Sequence, residues 1–163
     1  MNDAPSTPAT RVAPIRKTIT VAAGKERAFS VFTDGFGTWW PLATHHVSDE
    51  VPETSVLEPF AGGRCYERCA DGTEYDWATV SVFDPPDRLV IAWQLNTAFK
   101  FDTTVSSEVE VRFVAEGPAT TRVELEHRGL ETYGDEAQQM RDALDSGGGW
   151  SVLLAAFAQA AQA

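Results

Sequence analysis

The sequence predicts an α+β fold: a curved antiparallel sheet of six to seven strands wrapped around a long C-terminal helix, with two short helices after the first strand. Three observations carry this prediction. Between residues 53 and 128 apolar residues recur with period two, and Gly or Pro pairs punctuate the runs, the signature of an antiparallel meander. The closing stretch "WSVLLAAFAQAA" places apolar side chains at helical spacing instead. One sheet with an apolar face needs a cover, and this helix is the element long enough to supply it.

In chain order, "MNDAPSTPATRVAP" is polar and proline-rich with no apolar core of a secretory signal. It reads as a disordered lead over residues 1–13, before a single domain over 14–163. "IRKTITVAA" alternates Ile15, Ile19 and Val21 with polar residues, a strand. "GKERAFSVFTDG" carries Ala28, Phe29 and Phe32 at helical spacing and stops at Gly35. "FGTWWP" is a second helical turn, ended by Pro41. Six strands follow: "TSVLEP", "RCYERCA", "TEYDWATVSVFD", "RLVIAWQL", "SEVEVRFVAE" and "TRVELEHRGL". Asp71-Gly72 is the strongest hairpin signal among their links. "GDEAQQMRDAL" and the last helix are separated by Gly147 to Gly149, a flexible break, and Val152, Leu153, Ala156, Phe157 and Ala160 form the apolar stripe.

Alternation also assigns faces. Val123 and Leu125 carry His127 inward, while Arg122, Glu124, Glu126 and Arg128 face solvent. Leu89, Ile91, Trp93, Leu95, Val109, Val111 and Phe113 join the inner face. Placing Arg64 and Arg68 outside puts Cys65, Glu67 and Cys69 inside. The strand from Glu74 to Asp84 is ambiguous, because both parities hold apolar residues.

Composition excludes some partners. Acidic residues number 24 against 13 basic, a net charge of −11, which disfavours phosphate backbones and anionic membranes. No apolar run approaches the ~18 residues that span a bilayer. Cys65 and Cys69, four apart in one strand, lie about 13 Å apart at roughly 3.3 Å per residue, too far for a mutual disulfide. Free thiols and no signal point to the cytoplasm.

The chemistry-bearing residues are few. His127 with Glu67 is either an acid–base pair or a core histidine bound to a carboxylate. His45 and His46 point apart in an extended segment, without metal-ligand spacing, and read as solvent-facing polar residues. Neither a nucleophile elbow nor a phosphate loop is present. No metal or cofactor is expected, and no residue is assigned a catalytic role, with His127 and Glu67 the candidates for one. Trp39 and Trp40 either pack in the core or wall a cavity whose gate is the loop after Pro41.

"FTDGFGTWWP", "LEPFAGGRCYERCADGTEYDWATV", "DPPDRLVIAWQ", "TRVELEHRGLE" and "DSGGGW" together resemble the SRPBCC superfamily, specifically bacterial proteins related to the C-terminal domain of the heat-shock ATPase activator. The resemblance covers Pro14 to Ala161. It implies the START/birch-pollen-allergen-like helix-grip fold, with a hydrophobic cavity between sheet and helix. It implies no shared catalytic set. Cys65 stands where many relatives have an aromatic residue.

The expected function is binding of a small apolar or amphipathic molecule, with Trp39, Trp40, Glu67, Trp93, Phe113, His127, Trp150 and Phe157 lining the cavity. The alternatives are a cyclase- or hydrolase-like enzyme using His127 as base, and a co-chaperone-like module acting through an acidic outer sheet face. The expected partner is a small hydrophobic molecule, with a chaperone or a second copy of the chain as further candidates, and neither nucleic acid nor membrane.

Overall fold

A computed structural model describes residues 12–163. Its sheet has seven antiparallel strands: β1 (Ile15–Val21), β2 (Thr54–Leu57), β3 (Arg64–Arg68), β4 (Glu74–Asp84), β5 (Arg88–Trp93), β6 (Ser107–Gly117) and β7 (Thr120–Arg128). The spatial order is β1-β7-β6-β5-β4-β3-β2. β2 to β7 are therefore the expected meander, and β1 closes the other edge beside β7. Between β1 and β2 lie helices α1 (Lys25–Thr33) and α2 (Phe36–Trp39). A 3-10 segment (Leu130–Glu136), α3 (Ala137–Asp145) and α4 (Trp150–Gln162) follow β7. This is the α+β helix-grip arrangement. Among the described residues no helix is long and apolar enough to cross a membrane.

The long C-terminal helix is two helices, broken where the glycine run stands. At Gly149 a Cβ would sit 2.0 Å from the Leu144 carbonyl oxygen, so the chain can turn back against α3 only without a side chain there. The buried stripe of α4 also differs from the expected one. It runs Trp150, Leu153, Leu154, Phe157, Ala158 and Ala161, while Val152 is exposed. The helix is turned so that Trp150, its largest residue, faces the sheet.

Val12 is buried, and Arg141 binds the carbonyls of Ala13 and Pro14. The remainder of the proposed lead, residues 1–11, lies outside the described residues.

The ambiguity of β4 has a physical cause: two bulges. Cys65 pairs with Ala78 and Tyr66 with Asp76, so Trp77 is an extra residue. Val80 pairs with Ile91 and Val82 with Val90, so Ser81 is a second. Each bulge resets which parity faces inward, and the first one aims Trp77 into the interior beside Ala78.

The outer face of β1, β7, β6 and β5 is not the acidic surface expected. Arginines and glutamates alternate across strands: Glu108 faces Arg128, Arg112 faces Glu124, and Arg16 binds Glu126 at 2.9 Å. Glu110 is nearly buried among them. Burial works against its charge, yet bonds from Arg128 and Arg88 hold its carboxyl below the usual carboxylate range. Sequence alternation placed these residues outside correctly, but only register reveals that they neutralise one another.

Candidate functional site

The inner face holds two contrasting groups of polar residues. The first surrounds a cavity of about 350 Å³ between the sheet and the junction of α3 with α4. Three tryptophans wall it. Trp40 follows α2, Trp77 stands on the β4 bulge and Trp93 ends β5. The rings of Trp40 and Trp77 stack at 5.3 Å and 20°, and Trp93 meets Trp77 edge-on at 5.5 Å. Phe36 backs both stacked rings, at 4.8 and 5.8 Å. Leu95, Leu144 and Leu153 complete the apolar part.

The mouth is built from loops. His45, half-buried on the cavity wall, meets the Gly148 carbonyl at 2.8 Å through Nε2 and the Thr44 hydroxyl at 2.7 Å through Nδ1. A carbonyl only accepts, so Nε2 carries the proton and Nδ1 accepts from Thr44; both nitrogens are committed. In His46 the Ser48 carbonyl, 2.7 Å from Nδ1, puts a proton there, and Nε2 of the neutral ring keeps its lone pair. Both histidines were expected as solvent-facing residues at the cavity rim; they stand at the mouth, but half-buried, each with a ring nitrogen bonded to a backbone carbonyl. Trp40 donates its Nε1–H to the His45 carbonyl at 2.9 Å, which ties the tryptophan to the same loop.

Across the mouth, Phe99 adopts a positive φ of 58°, rare for a side-chain-bearing residue. Asn96 holds that turn by accepting the Ala98 and Lys100 N–H groups at 2.9 and 3.1 Å. Lys100 Nζ then donates to the Val47 carbonyl at 2.9 Å and joins the two loops.

Glu67 is the charged group of the interior wall. The residue is only 2% exposed. One oxygen, Oε1, accepts the N–H groups of Val47 and Ser48, the latter at 2.8 Å. The other, Oε2, has no hydrogen-bond partner among the described residues and is open to the cavity.

The second group lies behind Trp93 and is closed. His127 is fully buried, with Trp150 donating its Nε1–H to Nδ1 at 3.0 Å and Ser107 Oγ 2.7 Å from Nε2. Indole N–H is a donor only, so Nδ1 must be unprotonated and the proton sits on Nε2, shared toward Ser107. Burial pushes the imidazole pKa down to about 3. Nearby, Tyr133 donates to the Leu95 carbonyl at 2.6 Å, and burial pushes its hydroxyl up to about 12. Trp93 Nε1 is the buried side-chain polar atom without a partner among the described residues.

Of the eight residues expected to line the cavity, the structure brings Trp40, Glu67 and Trp93 to it. Trp39, Phe113 and Phe157 instead pack around Phe32 in an aromatic core, where Phe113 and Phe157 meet it edge-on and Trp39 at a tilt of 46°. His127 and Trp150 bond each other behind Trp93. The expected His127–Glu67 pair does not form, since each has other partners. His127 is likewise corrected as a general base, because its one lone pair already accepts from Trp150. Trp77, Leu95 and Phe99 were not foreseen as lining. Leu95 continues the inward alternation of β5, whereas a bulge places Trp77 and a left-handed turn places Phe99, and neither of these is a periodic signal.

Both cysteines are free and buried, and burial raises the Cys65 thiol pKa. Among the described residues no cluster of three or more His, Cys, Asp or Glu forms a metal site.

Comparison with known proteins places this geometry. No curated protein sequence matches the chain. Among solved structures, it is similar to the anthrahydroquino-gamma-pyrone synthase Txn09, with 39% identity, 91% of this chain and 97% of that chain covered, and a TM-score of 0.64. It is also similar to CalC from Micromonospora echinospora, a self-sacrificing resistance protein, with 33% identity, 91% and 93% covered, and a TM-score of 0.68. CalU16 from the same organism, at 23% identity, 94% and 79% covered and a TM-score of 0.56, shares the fold. The family described as Activator of Hsp90 ATPase homolog 1-like protein matches residues 22–162. With the helix-grip sheet and C-terminal helices, that match means the chain belongs to the Activator of Hsp90 ATPase homolog 1-like family.

Proposed function

We propose that this protein binds a small apolar or amphipathic molecule in the cavity walled by Trp40, Trp77 and Trp93. The observation that carries the reading is an apolar, aromatic-lined space of about 350 Å³ with a few polar groups gathered on the loop side. That volume falls at the small end of the range of about 300–1,000 Å³ typical of small-molecule sites. Stacked indoles favour a flat aromatic ligand, which can bury both faces at about 25 cal/mol per Å². The name of the synthase relative, which refers to a fused aromatic product, supports the same ligand shape.

A second reading, an enzyme acting in this cavity, is favoured by the 39% identity to that synthase. On this reading His46 Nε2 and Glu67 Oε2, whose acceptor positions are uncommitted, are the groups able to take a proton from a bound substrate.

The test of binding is a fluorescence titration with 9-anthracenemethanol. One molecule per chain should quench tryptophan emission, and Trp40→Ala should weaken binding at least tenfold, or about 1.4 kcal/mol. No quenching at any soluble concentration, or equal affinity in the variant, would contradict the reading.

A further inference from the structure

Resting on the cavity reading above, we infer that Glu67 makes the site selective for cationic aromatic ligands: the occupant brings a protonated amine to Oε2 while its rings lie against Trp40 and Trp77.

A carboxylate taken out of water is costly unless cations or several donors replace its hydration. Glu67 is 2% exposed, and two backbone N–H groups bond one of its oxygens. No Lys, Arg or His lies within ion-pair distance of it among the described residues, whereas Glu110, the nearly buried carboxylate of the outer face, has three arginines. The nearest lysine of the mouth, Lys100, is turned outward, to the Val47 carbonyl and Asp49. Glu67 lines the cavity and Oε2 opens to it, so whatever solvates that oxygen, water or the cation of a ligand, comes from the cavity side.

The walls suit a cation as well. Indole is the best aromatic face for one, and an ammonium near three such rings gains attraction that strengthens when water is excluded. The stacked pair Trp40–Trp77 and the edge-on Trp93 stand together around the same space. The mouth's other uncommitted polar atom, His46 Nε2, is an acceptor too and also suits a donor-bearing ligand. No lysine or arginine lines the cavity to hold an acid. The net charge of −11 raises the local concentration of cations and lowers that of anions.

A clamp role for Glu67 alone, holding the loop through Val47 and Ser48, is the plain alternative. Glu67→Gln separates the two, because the Gln carbonyl oxygen can accept the same two N–H groups while the charge is gone. The experiment is calorimetric titration of wild type and Glu67→Gln with three matched probes: 9-(aminomethyl)anthracene, 9-anthracenemethanol and 9-anthracenecarboxylate. In wild type the amine should bind at least tenfold more tightly than the alcohol, with the carboxylate weakest, and added salt should weaken the amine alone. Glu67→Gln should bring amine and alcohol to within about threefold, a gap of roughly 0.7 kcal/mol. Equal binding of amine and alcohol by wild type, or a preference that survives Glu67→Gln, overturns the selectivity and leaves the cavity reading standing. Failure of all three probes overturns both. Even if the variant does not fold, equal binding of amine and alcohol by wild type overturns the selectivity.

Discussion

Two polar groupings share the inner face of this sheet, and they differ in completeness. Around His127 both ring nitrogens are used, the donors and acceptors match, and no water reaches the ring. Around Glu67 one oxygen is used and the other is left open, toward a space large enough for a ligand. A saturated buried network rigidifies a core; an unsaturated one next to a cavity is where binding energy remains to be gained. Burial alone does not separate these cases, since both residues are nearly inaccessible. The count of unused acceptor atoms does.

The comparison breaks first if the closed network proves dispensable. His127→Ala leaves the Ser107 hydroxyl and the Trp150 N–H unpaired and opens a hole, at an expected cost of about 3 kcal/mol in urea denaturation. A loss below about 1 kcal/mol would mean that the cluster is incidental.

The same network sets a pH dependence. In the folded protein His127 stays neutral down to a pKa of about 3, whereas in the unfolded chain it protonates near 6.5. Between those values the unfolded state binds the extra proton. The stabilisation is therefore complete above pH 6.5 and falls as pH drops toward 3, by up to about 1.4 kcal/mol per unit. Carboxylates held low by arginine or lysine, such as Glu126 and Asp145, add a slope of the same sign. They act equally in a His127→Gln variant, so urea midpoints of the two proteins between pH 7.5 and 5 isolate the histidine. Parallel curves would contradict the assignment.

On the open side, Ala143 is an exposed residue of α3 at the cavity wall. Ala143→Trp should obstruct the site and cost 9-anthracenemethanol at least tenfold in affinity. Stability should stay within about 0.5 kcal/mol, as for a surface substitution. Undiminished affinity would place the ligand elsewhere. A smaller effect belongs to the mouth: His45→Ala removes the bond to Gly148 and should cost about 1 kcal/mol of stability. It should also speed amide exchange at Gly147 to Gly149. Unchanged exchange would show that the glycine turn is held by its own hydrogen bonds, such as Gly149 N–H to Ser146.

Sequence reasoning reached the architecture because period-two and period-3.6 patterns are strong in β5, β6, β7 and α1. The inward facing of Val123, Leu125 and His127 follows from alternation alone. It failed where alternation resets. Trp77 owes its place to a bulge that no local residue type announces, and Phe99 to a left-handed turn built by Asn96. The α4 stripe was misplaced by about one residue because Ala-rich helices mark their buried face weakly. There the indole of Trp150, bonded to His127, decides the rotation. Glu67 was legible as inward from its arginine neighbours, but its partners in the loop after Pro41 were not. They are backbone groups 19 and 20 residues away.

The central claim, that the ligand meets one set of tryptophans and not the other, is open to one direct measurement. The chain has five tryptophans, whose indole N–H signals are resolvable in a nitrogen–proton correlation spectrum. Adding 9-(aminomethyl)anthracene should shift or broaden those of Trp40, Trp77 and Trp93, while Trp39, in the aromatic core, and Trp150, bonded to His127, stay within line width. Shifts confined to Trp39 and Trp150, or spread evenly over all five, would contradict the account.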